Sequence, residues 1–146
     1  MIQFSRRPVL TTLGLCAAML LAAPAFAETV DYTAKLDGAS EVPATMTTAT
    51  GAATAKFDTV SKNLSWTVTY SGLSGAATAA HFHGPAAVGA NAGPIVPISG
   101  SLASPITGNA TLTDAQATDL AAGKLYFNIH TDANKGGEIR GQMMKK

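Results

Sequence analysis

Cysteine is nearly missing from this chain of 146 residues, and charge is sparse. The single cysteine, Cys16, sits in an apolar run near the N-terminus, so no disulfide and no thiolate metal site can form in the remainder. Charged residues are 13% of the total and the formal net charge is +1. Nothing here offers the basic field that attracts phosphate backbones or anionic lipid, which excludes nucleic acid and membrane surfaces as partners. Enzyme signatures are also missing. There is no G-x-S-x-G, no phosphate-binding G-x-x-x-x-G-K-[ST] and no dinucleotide fingerprint. Ser71, Ser74, Ser99, Ser101 and Ser104 stand in turn-like contexts, and the carboxylates form no visible acid/base pair, so no catalytic residue and no cofactor motif is assigned.

Long apolar runs are limited to Val9–Ala23, shorter than the about 20 residues of a membrane-spanning helix. Before it stand Arg6 and Arg7; after it come Ala25 and Ala27, small residues at −3 and −1 of a cleavage site. This order predicts an export signal over residues 1–27, cut after Ala27, and a periplasmic or secreted product over residues 28–146. Ser5-Arg6-Arg7-Pro8-Val9-Leu10 resembles a twin-arginine signal, although Thr11 replaces the lysine common there. In Leu13-Gly14-Leu15-Cys16 a bulky leucine stands directly before the cysteine, where a lipoprotein signal needs a small residue, so lipidation at Cys16 is not expected. Loss of Arg6 and Arg7 turns the formal charge of +1 into about −1.

What remains is rich in Ala, Thr and Gly, yet its apolar residues fall with period two, the spacing of half-buried strands. Val30, Tyr32, Ala34 and Leu36 alternate with polar neighbours, as do Leu64, Trp66, Val68 and Tyr70. Weaker stretches of the same kind are Gly51–Asp58, Ala77–His83, Ile95–Ile98, Gly108–Leu112, Leu125–His130 and Glu138–Met143. Short, regularly punctuated strands predict an all-β antiparallel sandwich, immunoglobulin-like or superoxide-dismutase-like. One helix is expected near residues 113–122: Thr113 and Gln116 form a capping box, and Gly123 suits the position after the last turn. Gly84–Pro94 reads as a loop, because its glycines and prolines break any ladder.

Histidine occurs three times, each time at the end of an expected strand. In Ala80-His81-Phe82-His83-Gly84 the i, i+2 spacing puts His81 and His83 on one face with Phe82 on the other. Along Leu125–His130, Leu125, Phe127 and Ile129 share the core face, so His130 lies opposite them. Two histidines alone are as easily explained by hydrogen bonds to nearby carbonyls. The third makes a copper or zinc site through His81, His83 and His130 a concrete expectation. Asp132 and Glu138 flank His130, either as acceptors that orient an imidazole or as solvated loop charges. Met46 reads as a gap-filler, and Met143 and Met144 as a ragged terminus, rather than as thioether ligands. Arg140, between Glu138 and the C-terminus, is expected to pair with a carboxylate inside the fold.

Four ordered segments carry a family likeness: Ala34–Pro43, Ala80–Pro85, Ala122–Thr131 and Gly136–Gln142. Together they resemble the CHRD domain, the module named after chordin and found singly in exported microbial proteins. That resemblance implies a β-sandwich and an extracellular protein-binding context, with no settled enzymatic activity. Ala44 and Lys135 stand where the family often has proline, both in loops. The histidine arrangement is also similar to the copper half of copper-zinc superoxide dismutases, without the further histidine and disulfide of those enzymes.

The leading expectation is an exported binding module that holds a Cu or Zn ion through three histidines. Two alternatives are a metal-free adhesion or interaction domain, with an extracellular protein as partner and Gly84–Pro94 as contact surface, and a mononuclear copper redox enzyme.

Overall fold

The computed structural model of the protein describes residues 28–146. The expected leader, its cleavage site, its arginine pair and Cys16 lie outside the described residues.

Alternation of apolar and polar residues produces strands where it was expected. The first three form a meander: β1 (Thr29–Asp37), β2 (Thr50–Asp58) and β3 (Asn63–Ser71), paired antiparallel in unbroken register from Thr29↔Asp58 to Asp37↔Thr50 and from Thr50↔Ser71 to Phe57↔Leu64. Then follow β4 (Ala77–His83), β5 (Pro94–Pro97) and β6 (Ile106–Thr111). The helix α1 (Asp114–Ala121) starts at the expected capping box, with Gln116 N–H donating to Thr113 Oγ1 and Thr113 N–H to Gln116 Oε1. Leu120 is its buried residue, and Gly123 takes φ +67° just past its end, the left-handed conformation glycine adopts at little cost. The chain ends with β7 (Tyr126–Thr131), β8 (Ile139–Gln142) and the two-residue β9 (Met144–Lys145). Among the described residues no helix is long and apolar enough to cross a membrane.

The all-β antiparallel class and the short helix are as expected. In place of two separate sheets, the strands form one curved, nearly closed, barrel-like sheet in the order β5-β4-β7-β8-β1-β2-β3-β6, with β9 on β1. The join between the two halves is the β1–β8 pairing at Asp37↔Arg140. Side-chain alternation alone cannot distinguish the two architectures, because both bury every second residue.

The interior is filled from both halves by Leu36, Leu64, Trp66, Val68, Phe82, Ile106, Phe127, Ile129 and Ile139, all nearly or fully buried. Alanines at 34, 53, 55 and 80 leave room for the large rings, and Phe82 meets Trp66 and Phe127 edge-on at centroid distances of 5.1 and 4.9 Å. Tyr70, expected inward with Trp66, is half-buried at the rim, where its hydroxyl donates to the Leu102 carbonyl at 2.6 Å.

The methionines differ from expectation. Met46 fills no gap; it is fully exposed on the loop after β1. Met143 is fully buried, because it continues the inward phase of Ile139 and Gly141 and its N–H donates to the Leu125 carbonyl. Met144 is no ragged end but pairs with Thr33.

One departure from simple alternation positions the site. Every residue of β7 is buried, so both faces of this strand are covered. Its core face carries Phe127 and Ile129; its outer face carries Tyr126, Asn128 and His130, roofed by the loops 38–49, 84–93 and 132–138.

Candidate metal centre

Strand pairing assembles the three histidines. β4 and β7 are antiparallel with His83↔Tyr126, His81↔Asn128 and, beyond an irregularity, Ala79↔His130. His81 and His130 are therefore diagonal neighbours on the outer face, within reach of each other's side chains. Their nitrogens meet: His81 Nδ1 lies 3.0 Å from His130 Nε2. Ring centroids are 4.9 Å apart for His81–His130, 5.3 Å for His81–His83 and 6.0 Å for His83–His130. One ring nitrogen from each histidine lies within 4.8 Å of the others. All three predicted residues are thus brought together.

Backbone carbonyls set which nitrogens are free. His83 Nδ1–H donates to the Ala92 carbonyl and His130 Nδ1–H to the Lys135 carbonyl, both at 2.9 Å. Each of these bonds places the proton on Nδ1 and leaves Nε2 as a bare lone pair, the arrangement common to imidazoles that bind metals. His83 Nε2 is buried without a hydrogen-bond partner. The available donor set is His81 Nδ1, His83 Nε2 and His130 Nε2. His83 and His130 are 8% and 9% exposed, whereas His81 is half-buried, so the cluster opens toward solvent on the His81 side.

Electrostatics favour the neutral, ligating form. Burial, followed by the proximity of His130 and His83, holds His81 below the ordinary histidine range. His83 is lowered in the same way by burial, with His130 and Arg140 adding to it against the opposing pull of the Ala92 carbonyl.

The loop 84–93 is clamped over the site. Tyr126 stacks on His83 with centroids 4.9 Å apart and planes 7° from parallel, and its hydroxyl both donates to the Ala92 carbonyl and accepts from Ala92 N–H. The Arg140 guanidinium lies 4.4 Å from the Tyr126 centroid. It also donates to the Ala90 carbonyl and to Asn91 Oδ1. Gly84 lets the start of this loop lie close against Lys124 and Leu125, since a Cβ there would run into Leu125 Cδ2 and sit 3.0 Å from the Lys124 carbonyl oxygen.

Arg140 pairs with a carboxylate as expected: its Nε donates to Glu41 Oε2 at 2.8 Å, and both side chains are buried. It is not free to guide an anion. Burial lifts the Glu41 carboxyl above its ordinary range while Arg140 pulls it down. Neither acidic residue beside His130 orients it. Asp132 is exposed, as a solvated loop charge would be. Glu138 is fully buried and turned to the other side, where Ser74 N–H, Ser74 Oγ, Thr131 Oγ1 and Thr47 Oγ1 all donate to it at 2.6–2.8 Å. The partner of His130 is instead a main-chain carbonyl, for which sequence carries no residue-type signal.

Asn128 and Tyr126 were not singled out from sequence, although counting back by two from His130 places both on its face. Asn128 Nδ2 donates to Glu41 Oε1 at 2.7 Å. Gly137, at φ +130°, must lie flat over this pair, because a Cβ there would be 2.2 Å from Asn128 Nδ2 and 2.5 Å from Glu41 Oε1.

The family model described as the CHRD domain matches residues 32–143, nearly all of the described residues. No curated protein and no solved structure matches the chain.

Proposed function

The chain belongs to the CHRD domain family, and from that premise we propose that this member is an exported binding module that holds one transition-metal ion, copper or zinc, through His81, His83 and His130. The observation that carries the reading is the convergence of one ring nitrogen from each of three imidazoles within 4.8 Å, in a cluster where His83 Nε2 is buried without a hydrogen-bond partner. Such an orphan is costly to keep in a folded protein unless something meets it. A tetrahedral or tetragonal ion with nitrogens at about 2 Å suits the set, and the partly exposed His81 side leaves a position for an outside ligand. His81 Nδ1, His83 Nε2 and His130 Nε2 would be the ligands, with the Ala92 and Lys135 carbonyls as their fixed outer partners.

Isothermal titration of the purified protein with Cu(II) and with Zn(II) tests this. One ion per chain is expected, with at least one of the two metals bound tightly enough to survive gel filtration. Absence of heat together with no metal retained on gel filtration, for both ions, would refute the site. The export part of the reading rests on the leader expected over residues 1–27, and an exported form whose mass begins at Glu28 is the expected product.

The metal-free interaction reading draws on a separate observation. Val88 on the loop 84–93 and Met46 on the loop 38–49 are 78% and 100% exposed, and Asn91 Nδ2 ties these two loops together through the Val42 carbonyl. That surface is the place where a protein partner would dock.

A further inference from the structure

Three buried side-chain atoms among the described residues lack a hydrogen-bond partner: Trp66 Nε1, His83 Nε2 and Asn128 Oδ1. Two of the three belong to the histidine face. His83 Nε2 is explained by a metal ion, but Asn128 Oδ1 is an acceptor and needs a donor.

The orientation of Asn128 follows from its neighbours. It stands on β7 between His81 of β4 and Arg140 of β8, its direct partners across the two ladders. Glu41, which is bound to Arg140, accepts from Nδ2. An ionised carboxylate can only accept, so the amide nitrogen must face Glu41, and a flipped amide would set two acceptors against each other. Oδ1 is thereby turned away from Glu41, on the outer face of the sheet that also carries His81, its cross-strand partner, and His130, two residues on. Asn128 is 1% exposed and so cannot take its donor from bulk water.

We propose that Asn128 is a positioning residue for the open coordination position of the three-histidine site: its Oδ1 accepts a hydrogen bond from a small protic ligand, water in the resting state, that completes the metal's coordination. The proposal rests on the metal-site reading above. It assigns the Glu41–Arg140 pair a role as well, since that pair prevents the amide from flipping. The class of outside ligand favoured is one that carries an O–H or N–H donor; an anion that can only accept is disfavoured, because binding it breaks the bond to Asn128.

Azide is the probe. It accepts hydrogen bonds, displaces metal-bound water and gives a charge-transfer band on Cu(II). Titrating the Cu(II)-loaded protein and its variants with azide, beside a Cu(II) affinity measurement and a thermal melt for each, separates the outcomes. Asn128→Ala removes the acceptor and is expected to tighten azide about three- to tenfold, the equivalent of one ordinary hydrogen bond. Asn128→Asp keeps an acceptor, adds negative charge and is expected to weaken azide. Cu(II) affinity should stay within about threefold in Asn128→Ala and should rise, not fall, in Asn128→Asp, whose carboxylate attracts the cation. A purely structural role would move both variants in the same direction together with the metal affinity, and that result, or no change in either, overturns the proposal. If Asn128→Ala does not fold, the direction of the Asn128→Asp shift decides. A wild-type protein that takes no Cu(II) overturns both this proposal and the metal site, whereas wild-type loading with unmoved azide affinities overturns this proposal alone.

Discussion

His81 Nδ1 and His130 Nε2 are 3.0 Å apart although 49 residues separate them in the chain. At that distance one proton can sit between the two nitrogens, or both can bind one ion at about 2 Å each. The same two lone pairs serve either purpose, so a metal ion competes with that shared proton. His130 has its other nitrogen already committed to the Lys135 carbonyl, so the ring cannot rotate without losing that hydrogen bond.

Replacing His130 should therefore be more damaging than its position at a strand end suggests. His130→Gln is expected to lower metal affinity at least tenfold, and His83→Gln to do the same, by titration calorimetry. Retention of wild-type affinity in both variants would place any bound ion elsewhere.

Metal binding should be insensitive to pH above neutrality and weaken on acidification. His81 and His83 are held below the ordinary histidine value of about 6.5, so both are neutral ligands at pH 7. Protons begin to compete only below that value, and affinity should fall as pH drops through it and beyond. Affinity measured between about pH 5 and 8 checks the sign. A rise on acidification would contradict it.

Glu138 makes the fold itself sensitive to acid. Burial would raise its carboxyl, but the hydrogen bonds from Ser74, Thr131 and Thr47 outweigh burial and bring it from 4.5 down to about 2. A lowered carboxylate contributes stability that is complete above the unfolded value of 4.5 and is lost as pH falls through about 2. The contribution is on the order of 3 kcal/mol. Urea melts across that window should show the loss in wild type and a flatter profile in Glu138→Gln, which is also less stable at pH 7. Parallel profiles would show that the hydroxyl cage does not hold the charge.

Trp66 tests the core. It is 7% exposed and meets Phe82 edge-on, so Trp66→Ala should cost about 3–5 kcal/mol in a denaturant melt. A loss below about 1 kcal/mol would mean that the ring is not packed as described.

The outer face of β7 shows where reading by pattern stops. Alternation places Phe127 and Ile129 inward and Asn128 and His130 outward, and the structure agrees. In most half-buried strands the outward set is wet, yet here it is buried, because three loops cover it, two of them from distant parts of the chain and one that follows β7 directly. Nothing within Leu125–His130 announces that cover. Met143 fails for a related reason: a methionine near a C-terminus reads as loose until the strand before it is known to run inward in its phase.

The sequence by itself determined which face each side chain takes, because strand geometry has period two whatever the fold. It thereby determined that His81 and His83 share one face, that His130 opposes the core, and where the helix begins, since a capping box is a contact between residues three apart. Its four ordered motifs also pointed to the family. Only the tertiary structure decided which strands are neighbours, and hence that β4 lies beside β7 and brings His130 to the pair. It alone decided that the sheet is one curved ribbon, and that two main-chain carbonyls, at Ala92 and Lys135, fix the histidine tautomers. The physical reason is that facing depends on local backbone geometry, while pairing order and carbonyl placement depend on how the whole chain closes on its core.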